Sequence, residues 1–266
     1  MEREPQGGSD YGRDLQRDLG DEPPGAMRDT APDYFAPIDE SAPVSGHVPG
    51  PVSRASAAEM PEHDWGAAAK VIYPILRPVG TAGVPVADFD PETLAAAPHG
   101  HTQPLLDEGP CGLPVAYALS AGAFDVIVNP EHLLSWGVHG VDVMDAAIKN
   151  LAAWSSTAPW TDEVSGDRRL LSSDSGDGWD AARILLPEIR AHLMKELAST
   201  GRVLVGLPER HLLIAGTLRP GDDEFAALFA DFVLEHSGGA DEPIDRRVFE
   251  LVDGELVEFG SGAARG

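Results

Sequence analysis

Between residues 112 and 259 the apolar segments of this chain come in pairs, each joined by a short turn. Leu113 to Leu119 and Phe124 to Asn129 flank Ser120-Ala121-Gly122. Trp160 to Val164 and Arg168 to Ser172 flank Ser165-Gly166-Asp167. Val203 to Leu207 and Leu212 to Thr217 flank Pro208-Glu209-Arg210-His211, and Arg247 to Val252 and Glu255 to Phe259 flank Asp253-Gly254. Short apolar runs with such turns between them read as antiparallel hairpins, and Asp-Gly is the strongest of these signals. Single helical runs separate the pairs, and few long crossovers are available. The pattern predicts an α+β fold: an antiparallel sheet built from hairpins, with helices packed mainly on one face.

Four helical segments follow from apolar spacing. Pro130 to Trp136 gives a turn or two, stopped near Gly137. Val141 to Trp154 places Val141, Met144, Ile148, Leu151 and Trp154 on one stripe. Pro187 to about Ala198 places Ile189, Leu193, Met194 and Leu197 together. Asp222 to Glu235 gathers Phe225, Leu228, Phe229, Phe232 and Val233, with acidic residues at the positive helix end. Before the hairpins, Trp65 to Tyr73 reads as a short helix ending ahead of Pro74, and Asp90 as a cap for one turn.

Residues 1–64 are rich in Pro, Gly, Ser, Asp and Glu without a sustained apolar period. Such a segment buries too little surface to offset chain entropy, so a disordered acidic tail is expected. Within it, Tyr34 and Phe35 form an aromatic patch suited to docking on a protein partner. Residues 65–111 are expected to be a partly ordered connection, 112–259 the α+β domain, and 260–266 a frayed end.

The formal net charge of −25 speaks against binding nucleic acid or an anionic membrane surface. No stretch reaches the roughly 18 apolar residues that cross a bilayer. The start of the chain lacks a signal-peptide core, and one cysteine, Cys111, allows no internal disulfide. A cytoplasmic protein is expected. Frequent Ala, Gly, Asp and Arg beside scarce Lys suit high-GC bacterial coding.

The densest stretch is Ser173 to Leu186, where Asp174, Asp177 and Asp180 recur at spacing three around glycines. Carboxylates on such a turn can ligate a divalent cation, yet position twelve of an EF-hand frame is Ile184, where Glu is needed. A turn with a helix cap, Asp177 or Asp180, accounts for the same residues. At the Pro208 to His211 corner, a His beside Glu and Arg offers acid–base chemistry. Were the two stretches to meet, Asp177, Asp180, Arg183, Arg210 and His211 would form one polar, ligand-binding cluster. His99-Gly100-His101 with Cys111 fits no standard zinc spacing. No nucleophile elbow, phosphate loop or dinucleotide fingerprint is present, so no catalytic set, metal or cofactor is expected.

Several of these segments resemble the YtpQ-like family, bacterial proteins that carry a domain of unknown function. The likeness rests on Phe124 to Val128, Leu134-Ser135-Trp136-Gly137-Val138, and Ala147-Ile148-Lys149-Asn150-Leu151. Val203 to Pro208 with Arg210, and Pro243 to Phe249 followed by Asp253-Gly254, extend it over about residues 112–259. The resemblance implies a cytosolic domain with no cofactor and no catalytic residues to carry over. His211 stands where such a chain would carry an acidic residue. The leading expectation is a non-enzymatic binding or regulatory protein. The alternative is a hydrolase-like enzyme using the acidic turn and the Pro208 to His211 corner.

Overall fold

The computed structural model describes residues 60–86, 102–120, 125–199 and 201–260. The expected tail up to residue 59, the Tyr34–Phe35 patch, the Asp90 cap, His99 to His101 and the end from 261 lie outside the described residues. The described part is α+β, with two sheets.

The first sheet holds β1 (Ile72–Leu76), β2 (Val84–Pro85), β3 (Leu105–Glu108), β4 (Pro114–Ser120) and β5 (Asp125–Ile127). β1 pairs antiparallel with one edge of β4. β3 and β5 share the other edge: Glu108 lies opposite Pro114, and Asp125 opposite Ser120. The short β2 pairs parallel with β3.

The helix expected over Trp65 to Tyr73 is cut short. Asp64 caps α1 (Trp65–Ala68) by accepting from the Ala67 N–H at 2.7 Å. The chain then extends, because Val71, Ile72 and Tyr73 suit a strand and Pro74 opposes helix. Pro74 is tolerated because β1 is an edge strand and needs no second row of donors. Ile72, Ile75 and Leu76 are buried in the main core. The folded domain therefore starts ahead of residue 112.

The second sheet is entirely antiparallel, in the order β11-β10-β8-β9-β7-β6. Its strands are β6 (Thr161–Ser165), β7 (Arg168–Ser173), β8 (Arg202–Glu209), β9 (Leu212–Leu218), β10 (Val248–Val252) and β11 (Glu255–Glu258). Three of the four hairpins read from sequence are here; the fourth is the β4–β5 pair of the first sheet.

Helices do not gather on one face of this sheet. Val203, Val205 and Leu207 share a core with Ile189, Leu193 and Leu197 of α4 (Pro187–Leu197). Leu204, between them, packs instead with Phe225, Phe229 and Val233 of α5 (Asp223–Gly239). Both faces of β8 and β9 are apolar, so both need cover. Glycine lets α5 sit close. A Cβ on Gly206 would come within 2.5 Å of Val233, and one on Gly216 within 2.9 Å of Phe225.

The remaining helices are α2 (Pro130–Trp136) and α3 (Gly140–Ser155). α2 ends where its sequence predicts, at Gly137 in the left-handed region (φ 66°), and is capped by Asn129. α3 is rotated from the expected stripe. Val143, Ala147, Leu151 and Ser155 face inward, while Val141 and Ile148 are exposed. The row of smaller side chains admits β1 closely. The Asn150 amide fixes that setting by donating to the carbonyls of Ala69 and Ile72 at 3.0 and 2.8 Å.

After Asp180 the chain forms a 3₁₀ segment, Ala181–Leu185. It touches β1 and α3 on one side and β9 on the other. The stretch from Ser173 to Leu186 is thus the joint between the two sheets. Among the described residues, no helix is long and apolar enough to cross a membrane.

Candidate functional site

β7 delivers Ser173 to the joint, and two glycines then turn the chain. Gly176 (φ 79°) and Gly178 (φ 83°) both occupy the left-handed region. Gly178 has a second reason to be glycine, since a Cβ there would lie 3.0 Å from the Arg210 guanidinium.

Beyond the turn, Asp180 is 0% exposed and Arg183 is 1% exposed. Arg183 donates to Ser173 Oγ at 2.7 Å, to Ser155 Oγ at 2.9 Å and to the Ser155 carbonyl at 3.2 Å. Its guanidinium lies 4.0 Å from the centre of the Trp160 ring. Asp180 accepts from the Ser173 hydroxyl and, at 2.8 Å, from the Ser175 hydroxyl. Ser173 thereby relays between cation and carboxylate, accepting from one and donating to the other. Burial pushes the Arg183 guanidinium down to about 10, opposed by the nearby Asp180 charge. It stays charged at neutral pH.

The Pro208 to His211 corner reaches the same turn from outside. A register shift between Gly206 and Glu209 leaves Arg210 and His211 as the two turn residues. Arg210 Nε donates to the Gly178 carbonyl at 2.9 Å, and its Nη atoms pair with Asp125 and with Glu242, the latter at 3.2 Å. The guanidinium covers the Trp179 ring at 4.7 Å. The main chain joins as well: Ala181 N–H donates to the Arg210 carbonyl, and Arg210 N–H to that of Glu242, both at 3.2 Å.

The two stretches therefore meet, but the five residues do not converge on one cavity. Asp180 and Arg183 point inward. Arg210 bridges the turn, the corner and Glu242. Asp177 is exposed and accepts from Trp154 Nε1 at 2.9 Å. His211 faces away, 3.9 Å from Glu242, on the wall of a basin of about 580 Å³ with Glu209, Glu235, His236 and Asp241. Asp180 sits at the start of the 3₁₀ segment but makes no side-chain cap; its oxygens serve the serines.

Ser155, Ser173, Asp125, Glu242, Trp160 and Trp179 complete the arrangement and were not legible as partners. Asp125 precedes Arg210 by 85 residues, and Ser155 Arg183 by 28. Only Ser173 and Trp179, inside the dense stretch, carried a local signal. Among the described residues, no group of three or more His, Cys, Asp or Glu is arranged to hold a metal ion. Chemically the site is a lock: its buried cation and buried carboxylate are both hydrogen-bonded within the fold. Comparison with family models, with curated proteins and with solved structures finds no match for this chain.

Proposed function

We propose that the protein acts by binding a protein partner, as a non-enzymatic regulatory or adaptor component of a bacterial cytosol. One observation carries this reading. Asp180 and Arg183, two of the side chains that offered chemistry in the sequence, are within 1% of complete burial and are engaged by Ser155, Ser173 and Ser175. Charges held this way stabilise a joint and do not meet a substrate. The resemblance to the YtpQ-like family supports a cytosolic domain without a cofactor.

The hydrolase alternative would fall back on His211 and Glu242. Among the described residues, the side chains that line their basin include no hydroxyl or thiol to act as nucleophile. The test isolates the tagged full-length chain from native lysate, and in parallel assays the purified chain against ester and phosphoester substrates. A stoichiometric protein that stays bound is expected. Hydrolysis that disappears in His211→Ala would overturn the reading.

A further inference from the structure

We propose that the groove between α5 and the β6–β7 hairpin receives a basic amphipathic helix of a partner protein. This rests on the binding reading and gives it a place and a chemistry.

The apolar stripe of α5 is wider than the sheet it covers. Phe225, Phe229 and Val233 lie on the sheet. Leu228 is 54% exposed, and Phe232 is only half-buried beside it. This second row overhangs β7, where Leu170 faces it, and β6, which is exposed along its length. α5 packs mainly on β8, β9 and β10; of β7 it meets Arg168 and Leu170, while β6 beyond them is exposed. The space between is a groove of about 770 Å³, walled on the far side by Glu163 and Val164.

Its length and position select a helix. From Phe225 to His236 the groove follows α5 for about 16 Å, three helical turns at 1.5 Å per residue. It lies on the sheet face beside α5, where a neighbouring helix packs at about 8–10 Å. Apolar residues at i, i+4 and i+7 on such a helix would meet Leu170, Leu228 and Phe232.

Its charge selects the partner. His236 lines both the groove and the 580 Å³ basin, so the two adjoin at its side chain. Glu209, Glu235 and Asp241 surround that basin with no ion pair among the described residues, while Glu242 is held by Arg210. At the opposite end Arg168 is already held by Asp222 and Glu224. A helix leaving over the basin therefore needs Lys or Arg in its last turn. A second copy is disfavoured by the chain's −25 charge.

The probe is a fluorescein-labelled peptide of about four helical turns, with leucines along one face and lysines in its last turn. Fluorescence anisotropy follows its binding to the full-length chain at several salt concentrations. Leu228→Glu and Val164→Glu change exposed positions, and circular dichroism verifies their fold. Each should weaken binding about tenfold, although each adds negative charge that alone would favour a basic peptide. Glu235→Gln with Asp241→Asn should weaken it about threefold and flatten the salt dependence.

Unchanged affinity in both Glu variants overturns the proposal. So does equal binding of a scrambled peptide, or of one with Glu in place of Lys. A full-length dimer that Leu228→Glu dissociates would seat a second copy there instead, and overturn it. Tighter probe binding in Tyr34→Asp with Phe35→Asp would seat the chain's own N-terminal residues, with the same consequence. A lysate partner retained equally by Leu228→Glu sinks the groove while the binding reading stands. His211-dependent hydrolysis sinks the binding reading itself.

Discussion

Arg183 and Arg210 each lie over a tryptophan ring, and each holds the stretch from Ser173 to Leu186. Their surroundings differ in kind. Arg183 is sealed between the sheets and meets neutral oxygens, its one carboxylate reached through the Ser173 hydroxyl. Arg210 stands at the rim and meets two carboxylates directly, Asp125 and Glu242, with side-chain exposures of 22% and 40%. A buried cation needs every donor placed, because water cannot fill a gap. A rim cation keeps water as a reserve. The first arrangement is suited to fixing how two sheets meet, and the second to tying loops to them.

The comparison breaks most sharply at Arg183. Arg183→Met leaves the Asp180 carboxylate buried with only hydroxyl partners, and should destabilise the chain by about 3–5 kcal/mol in urea unfolding. Arg183→Lys should recover little, since one ammonium cannot present planar donors to Ser155 and Ser173 together. A loss below about 1 kcal/mol would mean that the joint is not held by this charge. Arg210→Met is next, at about 1–3 kcal/mol, because Asp125 and Glu242 can rehydrate. If Arg210 proves the costlier of the two, the ordering by burial is wrong.

This contrast marks what the chain disclosed in advance. Local signals carried far. Asp253-Gly254, the Gly166 turn and the Pro208 to His211 corner each placed a hairpin, since a turn and its strands are neighbours in sequence. The acidic start and aromatic face of α5 were equally plain. Long-range choices were not. Nothing in Val141 to Trp154 tells that Asn150 will bind the Ala69 and Ile72 carbonyls and rotate α3 by that tie. Apolar residues alternate through β8 and β9 on both faces, yet the second helix layer emerges only when both are seen covered. At the site, a meeting of the acidic turn with the Pro208 to His211 corner was raised, but not the bond from Arg210 to the Gly178 carbonyl that makes it. The inward turn of Asp180 and Arg183 depends on Ser155, which no local pattern singles out.

Burial also acts on an uncharged group in the same core, which sharpens the point by pH. Tyr117 is 2% exposed and donates to Asp107 Oδ2 at 3.4 Å. Burial, then the neighbouring Asp107 charge, hold its phenol well above the ordinary 10.0. Burial thus favours the neutral form of both Arg183 and Tyr117. The unfolded tyrosine releases its proton near pH 10, while the folded one retains it. The contribution is therefore complete below pH 10 and is lost above it, by about 1.4 kcal/mol per pH unit. Denaturation at pH 9, 10 and 11 should show this slope, reduced in Tyr117→Phe. Tyr73 is shifted in the same direction and leaves a residual slope. An identical slope in Tyr117→Phe would count against a sealed first-sheet core.

The smallest effect belongs to Asp177, which the sequence ranked beside Asp180 as a ligand candidate. The two are three residues apart on one turn, but Gly178 separates an outward carboxylate from an inward one. Among the described residues, the Asp177 carboxylate accepts from Trp154 Nε1 alone, at an exposed position. An amide oxygen can accept the same bond, so Asp177→Asn should shift stability by less than about 0.5 kcal/mol. Asp180→Asn, by contrast, removes the charge opposite Arg183 and should fall in the range of the larger changes. Thermal melts of the pair compare them directly. Equal losses would show that the turn is held by its total negative charge. A large loss at Asp180 alone places the stabilising charge inside the joint, with the exposed carboxylate left to solvent.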